Sequence, residues 1–294
     1  MRRWLRAGGA ALLTACAARG GAGPGAAAPN PAPAPPPPPR PGERHAFPQA
    51  VRYGPSAVRY LIHRRLHIEQ TFSGAPQTQD LGAHIFVRAI VTGPADSSGY
   101  PATFIVDSIV PDSGTPPPIA DNISKARMLI MSGRVVAQGE FRSTATSDSV
   151  LARNLAQLLG NFRDFLPRIP TDGARLGAAW TDTLSLTQRA GGSEVTRRSV
   201  QHSSAAAWEE HSGARSLRLE TTGTYSVAGS GQNGGQFFQI GGAGTVTART
   251  FLAEDGRFVG GESQDSSSLT ISLPAQGLTV PVTQVLRSTV AVLP

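Results

Sequence analysis

Beyond residue 48 the chain alternates repeatedly between apolar and polar residues with a period of two, and this pattern constrains the fold more than any other feature. Successive side chains of a strand point to opposite faces, so each such run has one face suited to burial. Gly, Pro, Asp and Ser, which favour turns, separate the runs. We predict twelve strands, at 58–72, 82–92, 102–110, 126–131, 134–142, 180–188, 194–202, 206–211, 216–228, 236–253, 257–272 and 278–293.

One segment has the spacing of an amphipathic helix. Between residues 147 and 162 apolar residues recur at intervals of three and four, and Ser147 stands where an N-cap belongs. Pro167 and Pro170 follow and cannot continue the helix. One main helix near 147–162 among about a dozen strands predicts a mainly β fold, either a large antiparallel curved sheet, a sandwich or a half-barrel.

A short repeat bears on how the globular domain, residues 48–294, is organised. The sequence Gly133-Arg134-Val135-Val136 recurs as Gly256-Arg257-Phe258-Val259, and Ser132-Gly133 and Asp255-Gly256 have the composition of hairpin turns. Two repeated halves, 48–146 and 171–294, are one interpretation of this match. A chance similarity of four residues is the other.

The first fifteen residues have the layout of an export signal, with three arginines before the apolar stretch 7–13. The following Leu13-Thr14-Ala15-Cys16 resembles the lipobox of bacterial lipoproteins, and Cys16 is the one cysteine of the chain. The resemblance implies cleavage before Cys16 and lipidation of its sulfur. An ordinary secretory signal cut elsewhere and a structural cysteine are the alternatives.

Residues 16–47 are rich in Pro, Ala and Gly and include an unbroken proline run at 35–39. Proline fixes φ and lacks an N–H donor, so we expect a disordered, semi-rigid tether with a polyproline core. Position 17 is alanine, and by resemblance to sorted lipoproteins we expect anchoring in the cell envelope, at the periplasmic side of the outer membrane or at the cell surface. The membrane is the expected partner through the N-terminal lipid.

The net charge of +7 suggests a nucleic-acid or anionic-membrane partner, but the distribution of the charge does not support this. Residues 1–47 hold six arginines against one glutamate and carry +5 of this charge, which leaves +2 for the globular domain. No basic groove is indicated, so we expect no nucleic-acid binding.

The centre of the chain carries a second resemblance. Residues 165–170, Phe-Leu-Pro-Arg-Ile-Pro, and 176–180, Leu-Gly-Ala-Ala-Trp, are similar to an LP-x-x-P turn followed by a G-x-x-W strand start in uncharacterised bacterial lipoproteins. Those proteins are β-rich and resemble the half-barrels of periplasmic lipoprotein carriers, which hold acyl chains in an apolar cavity. Ala179 departs from that pattern, in which a polar residue often precedes the tryptophan.

Two patterns in the sequence have the spacing of known binding sites. The sequence at 229–234 matches G-x-G-x-x-G, but the strand pattern at 236–240 follows it where a dinucleotide site needs a helix, so a glycine-rich hairpin is predicted. His63 and His67 lie on one face of a strand and are weak metal candidates. Arg64 and Arg65 add positive charge beside them, and a solvated polar face is the preferred interpretation.

No serine-hydrolase motif and no paired carboxylates stand out, so no enzyme activity and no cofactor are expected. The sequence favours a non-enzymatic binding or scaffold module, with a lipid, another hydrophobic small molecule or an envelope protein as partner; a surface-anchored hydrolase with an unrecognised site is the alternative. The expected wall of a hydrophobic site comprises Leu155, Leu159, Phe162, Phe237 and Phe251. A solid core is the default interpretation of these apolar residues, and a lipid-sized cavity is the alternative.

Overall fold

The computed structural model describes residues 49–72, 74–124, 126–154, 162–190, 192–233 and 235–294. These residues form one antiparallel sheet of eleven strands, which confirms the predicted mainly β fold. The strands are β1 (Ser56–Phe72), β2 (Ala75–Val91), β3 (Tyr100–Pro111), β4 (Leu129–Val135), β5 (Phe141–Thr146), β6 (Ala179–Ala190), β7 (Ser193–His211), β8 (Ala214–Asn233), β9 (Gln236–Ala253), β10 (Phe258–Leu273) and β11 (Leu278–Leu293).

The sheet order is β5-β4-β3-β2-β1-β11-β10-β9-β8-β7-β6. The chain therefore starts in the middle, runs outward to the edge strand β5, crosses to the other edge strand β6 and returns to pair β11 with β1. Each half of the chain forms one contiguous half of the sheet. The two edge strands are not paired with each other in the described part of the chain, so the curved sheet is open.

Two irregularities explain where strand boundaries differ from the sequence pattern. The runs predicted at 194–202 and 206–211 are one strand, β7, in which a bulge between Ala205 and Ala207 interrupts the alternation. Ser132-Gly133 is not a turn, because both residues belong to β4 and pair with the neighbouring strands β3 and β5. The turn follows the end of β4, where the N–H of Val136 bonds to Glu140 O at 3.0 Å. Asp255-Gly256 does join two strands. The two copies of the short repeat are thus not structurally equivalent.

The described helices are short. The segment predicted as the main helix contains α2 (Ser149–Asn154), and residues 155–161 lie outside the described residues. Asp148 rather than Ser147 caps α2, since its Oδ1 accepts hydrogen bonds from the N–H groups of Val150 and Leu151 at 3.0 and 2.8 Å. A further helix, α1 (Pro117–Ser124), was not predicted, because eight residues are too few to display a helical period.

The two faces of the sheet differ along β1. Tyr60, Ile62 and Arg64 point to the inner face, and His63 and Arg65 point to the outer face. The main apolar core covers one end of the inner face. A second cluster, formed by Ile68, Phe238, Ile240, Leu269, Ile271, Leu273, Val280 and Val282, covers the far end. None of the helices in the described ranges is long and apolar enough to cross a membrane.

Candidate ligand-binding groove

The inner face carries a groove between its two apolar clusters, with a volume of about 460 Å³. Side chains of β1 and of β6 to β11 line it, and residues 163–168 cover it from the α2 side. This volume lies within the range of sites that hold small molecules. The groove is therefore the candidate functional site of the described chain.

The floor of the groove is polar because the inner-face positions at mid-strand are hydroxyl-bearing. Arg64 pairs with Ser288 of β11, and Ser288 pairs with Ser263 of β10. On the far side Ser203 and Thr221 pair across β7 and β8, and their hydroxyls hydrogen-bond at 2.9 Å. This row of hydroxyls offers both donors and acceptors to a bound molecule.

Arg64 places a positive charge in this floor. Its neighbours on the same face of β1 are the apolar residues Ile62 and Leu66. Burial lowers the pKa of Arg64 to about 10, and the group is still charged at neutral pH. A charge removed from water in this way favours an anion beside it.

A second charged group lies on the opposite wall. Arg197 stacks over the ring of Tyr225, with 3.6 Å between its guanidinium carbon and the ring centroid, and its Nη2 contacts Asp265 at 2.8 Å. The Tyr225 hydroxyl donates a short hydrogen bond to the other oxygen of Asp265. Gly244 makes room for this arrangement, because a Cβ there would lie 2.3 Å from the tyrosine ring. Arg197 thus has its own counter-ion within the groove.

Residues 162–170, the LP-x-x-P segment, form a roof over one end of the groove. Phe165 contacts the rings of Tyr60 and Phe258 edge-on, at centroid distances of 5.1 and 5.5 Å. Arg163 binds Glu140 of the β4–β5 turn at 2.9 Å, and the N–H of Phe141 bonds to the carbonyl of Arg163 at 2.9 Å. The segment is therefore fixed to the β4–β5 hairpin as well as to the core.

Arg163 offers a further donor to this end of the groove. Its Nε is buried and has no hydrogen-bond partner among the described residues, although its Nη2 binds Glu140. Since Arg163 lines the groove, a ligand oxygen beside it would satisfy this donor.

The structure does not bring the expected hydrophobic wall together. Phe162 is buried in the main core against Phe104, at a centroid distance of 5.1 Å. Phe237 and Phe251 have odd residue numbers, and the odd-numbered side chains of β9 point to the outer face. Phe237 is 41% exposed there, and the ring of Phe251 stacks on that of His211 with 3.8 Å between the centroids. Leu155 and Leu159 lie outside the described residues, as does Cys16. None of the three described phenylalanines lines the groove.

His63 and His67 both point to the outer face, but they contact different residues. His63 contacts Asp112 and stacks on His84, whereas His67 contacts Asp80 through Nδ1 at 2.7 Å and Glu69 through Nε2 at 3.2 Å. The hydrogen bonds with Asp80 and then Glu69 raise the pKa of His67 above its usual value. The two histidines therefore do not form one site.

Arg64 was grouped with His63 from the sequence, but its parity on β1 places it on the opposite face, where it lines the groove. Residues 229–233 of the G-x-G-x-x-G match belong to β8, and β9 follows from Gln236, so this stretch lies in the hairpin predicted from the sequence.

Comparisons with known proteins add little to this geometry. No protein-family model matches the chain, and no curated protein matches it. Among solved structures, Pseudomonas aeruginosa OccK2 (OpdF) is 9% identical, with a TM-score of 0.28 over 81% of this chain and 98% of that one. Pseudomonas aeruginosa OccK9 (OpdG) is 11% identical, with a TM-score of 0.27 over the same shares. Similarity this low carries no argument about fold or function.

Proposed function

We propose that this protein is a lipid-anchored lipoprotein of the bacterial cell envelope and a non-enzymatic binding module, whose groove holds an amphipathic anion with an acyl chain. The observation that carries the proposal is the position of Arg64 on the floor of the groove, beside apolar neighbours on β1 and next to the row of hydroxyls that begins with Ser288. A carboxylate or phosphate head group fits such a floor, since charge-assisted hydrogen bonds to arginine are strong and directional.

The walls of the groove suit the rest of such a ligand. Val246 and Leu286 flank the polar floor, and Phe165 and Leu166 contribute apolar surface from the roof. A site with apolar walls and a few placed polar groups orients an amphipathic molecule, because head and chain then have different surroundings. This differs from the wholly apolar wall expected from sequence.

The anchor rests on the lipobox-like sequence ending at Cys16 and on the proline-rich tether behind it. A signal peptide removed before Cys16 leaves a lipid-bearing N-terminus, and two or more acyl chains give stable membrane attachment. Radiolabelled palmitate should be incorporated into the wild-type protein and not into Cys16→Ala. Unlabelled mature protein released into the medium would contradict the anchor.

The ligand is tested on residues 17–294 exported behind a conventional cleavable signal, so that neither an anchor lipid nor detergent is present. Native mass spectrometry of this protein should detect a bound fatty acid or phospholipid. Arg64→Met, which keeps the length of the side chain and removes its charge, should lose that adduct. Arg65→Met is the matched control, because Arg65 is adjacent in sequence but lies 70% exposed on the outer face.

Two results would contradict the proposed ligand. One is a wild-type protein that carries no lipid and acquires none on incubation with fatty acid or phospholipid. The other is an adduct equally depleted in Arg64→Met and Arg65→Met, which would place the lipid outside the groove. Circular dichroism of both variants establishes that they are folded.

A further inference from the structure

The outer face carries a cluster of potential metal ligands that is separate from the groove. His63 of β1 pairs directly with His84 of β2, and both side chains point outward. Their rings stack, with centroids 4.0 Å apart and planes inclined by 8°. Two imidazoles held face to face present nitrogen atoms to the same region of the surface.

Asp112 completes the cluster because the turn after β3 folds back over β2. The N–H of Asp112 bonds to Gly82 O at 2.8 Å, and the buried hydroxyl of Thr115 both accepts from the N–H of Gly82 at 3.1 Å and donates to its carbonyl at 2.9 Å. Gly82 has no side chain, and a Cβ there would come within 2.1 Å of Asp112 Oδ2. The turn and the glycine together set the carboxylate against the two rings.

The donor atoms are close enough to share an ion. Asp112 Oδ2 lies 3.1 Å from His63 Nε2, and Asp112 Oδ1 lies 3.2 Å from His84 Nδ1. One ligand atom from each of the three residues lies within 4.8 Å of the other two. Asp112 supplies a carboxylate oxygen and the two histidines supply imidazole nitrogens, a donor set that Zn²⁺ accepts when the ligands are deprotonated.

We propose that His63, His84 and Asp112 form a binding site for a divalent first-row transition-metal ion, with Zn²⁺ as the best match. Zinc takes imidazole nitrogen and carboxylate oxygen at about 2.0–2.2 Å in tetrahedral geometry, and three protein ligands leave one position for water. Small adjustments of the three half-buried side chains bring their donor atoms to these distances.

Arg65 lies beside the cluster and contacts two of its three members. Its Nε donates to His63 Nε2 at 3.2 Å and lies 3.5 Å from Asp112. The side chain is 70% exposed, so it is free to turn into solvent when an ion replaces its charge. The guanidinium group thus lies beside His63 and Asp112 without the metal, and the metal replaces it there on binding.

His67 provides an internal comparison four residues along the same face. Its two carboxylate partners bind opposite ring nitrogens, Asp80 at Nδ1 and Glu69 at Nε2, so their oxygens do not converge with one nitrogen on a common ion. We therefore expect no tight metal binding at His67, and His67→Ala is the matched control.

The site is tested by isothermal titration of Zn²⁺ into the untagged, metal-free mature chain in detergent. Wild type and His67→Ala should bind one ion with the same affinity. His84→Ala and Asp112→Ala should weaken binding by more than the roughly 10–100-fold typical of changes around a ligand shell. Gly82→Ala should also weaken it, because it displaces the Asp112 carboxylate while all three ligands remain.

Replacement of Zn²⁺ by Co²⁺ gives a readout that needs no variant. Intense visible absorption from tetrahedral cobalt should appear in wild type and saturate at one equivalent. The proposal would be overturned if Zn²⁺ gave no heat of binding and Co²⁺ gave no visible absorption bands. Equal losses in His67→Ala and His84→Ala would do the same, since they would indicate non-specific binding along the histidine face.

Discussion

Tyr225 contacts Asp265 and Arg197, two residues that line the groove, and its ionisation reports these contacts. Burial, and next the hydrogen bond with Asp265, raise the pKa of Tyr225 to about 12. Because the folded-state pKa exceeds the value of 10.0 for an unperturbed tyrosine, Tyr225 contributes stability below about pH 10, and this contribution is lost as the pH rises toward 12.

Asp265→Asn should lower the pKa of Tyr225 but leave it above its ordinary value, because the contribution from burial remains. Ultraviolet difference titration, with Tyr225→Phe to identify the signal, measures the shift. An unchanged titration in Asp265→Asn would contradict the contact between Tyr225 and Asp265.

The alternation of residues in the sequence predicts which face of the sheet a side chain points to, but not which residues it contacts. The parity of β1 suffices to put His63 and Arg64 on opposite faces. Their partners were not predictable, because Asp112 and Ser288 reach them across the sheet from positions 49 and 224 residues further along the chain. Phe237 and Phe251 illustrate the converse error: their apolar character suggested one shared wall, whereas both lie on the outer face.

At the scale of elements, the roof segment 162–170 depends on Glu140. This carboxylate is 11% exposed and binds Arg163 at 2.9 Å and Arg142 at 3.3 Å, with Arg168 at 3.9 Å. Removal of one partner from a partly buried ion cluster leaves charges uncompensated. Glu140→Gln should therefore lower the free energy of unfolding by about 2 kcal/mol and speed hydrogen exchange in the roof segment.

Glu262→Gln is the control for that change, because Glu262 is exposed and meets Arg249 at 3.9 Å. Its effect on the free energy of unfolding should stay below about 1 kcal/mol. Urea denaturation of both variants measures the difference. Equal losses, or an unchanged exchange rate in the roof segment, would show that Glu140 does not hold the roof.

The strands were the most predictable elements, since runs such as β1, β9 and β11 each continue for sixteen or more residues. The β4–β5 turn was misplaced because Ser132-Gly133 has turn composition, yet the close approach of Arg142 requires a glycine inside the strand. Composition alone does not distinguish a glycine needed for a turn from one needed for close approach.

At the scale of the whole molecule, the proposed function depends on the curvature of the sheet. Apolar clusters at both ends of the inner face leave a polar strip at mid-strand, and the groove forms where β1 and β6 to β11 curve around that strip. The fold class followed from the period-two pattern. The groove did not, because it depends on the register of strands that are distant in sequence.

The central claim, that Arg64 selects an anionic head group, is tested most directly by equilibrium binding of palmitate and of its uncharged methyl ester to residues 17–294. Wild type and Arg65→Met should bind palmitate about tenfold or more tightly than the ester, since a hydrogen bond to a charged group contributes about 1.5–3 kcal/mol. Arg64→Met should bind the two equally. A wild-type protein without preference for palmitate, or an Arg64→Met protein that keeps the preference, would contradict the proposed function.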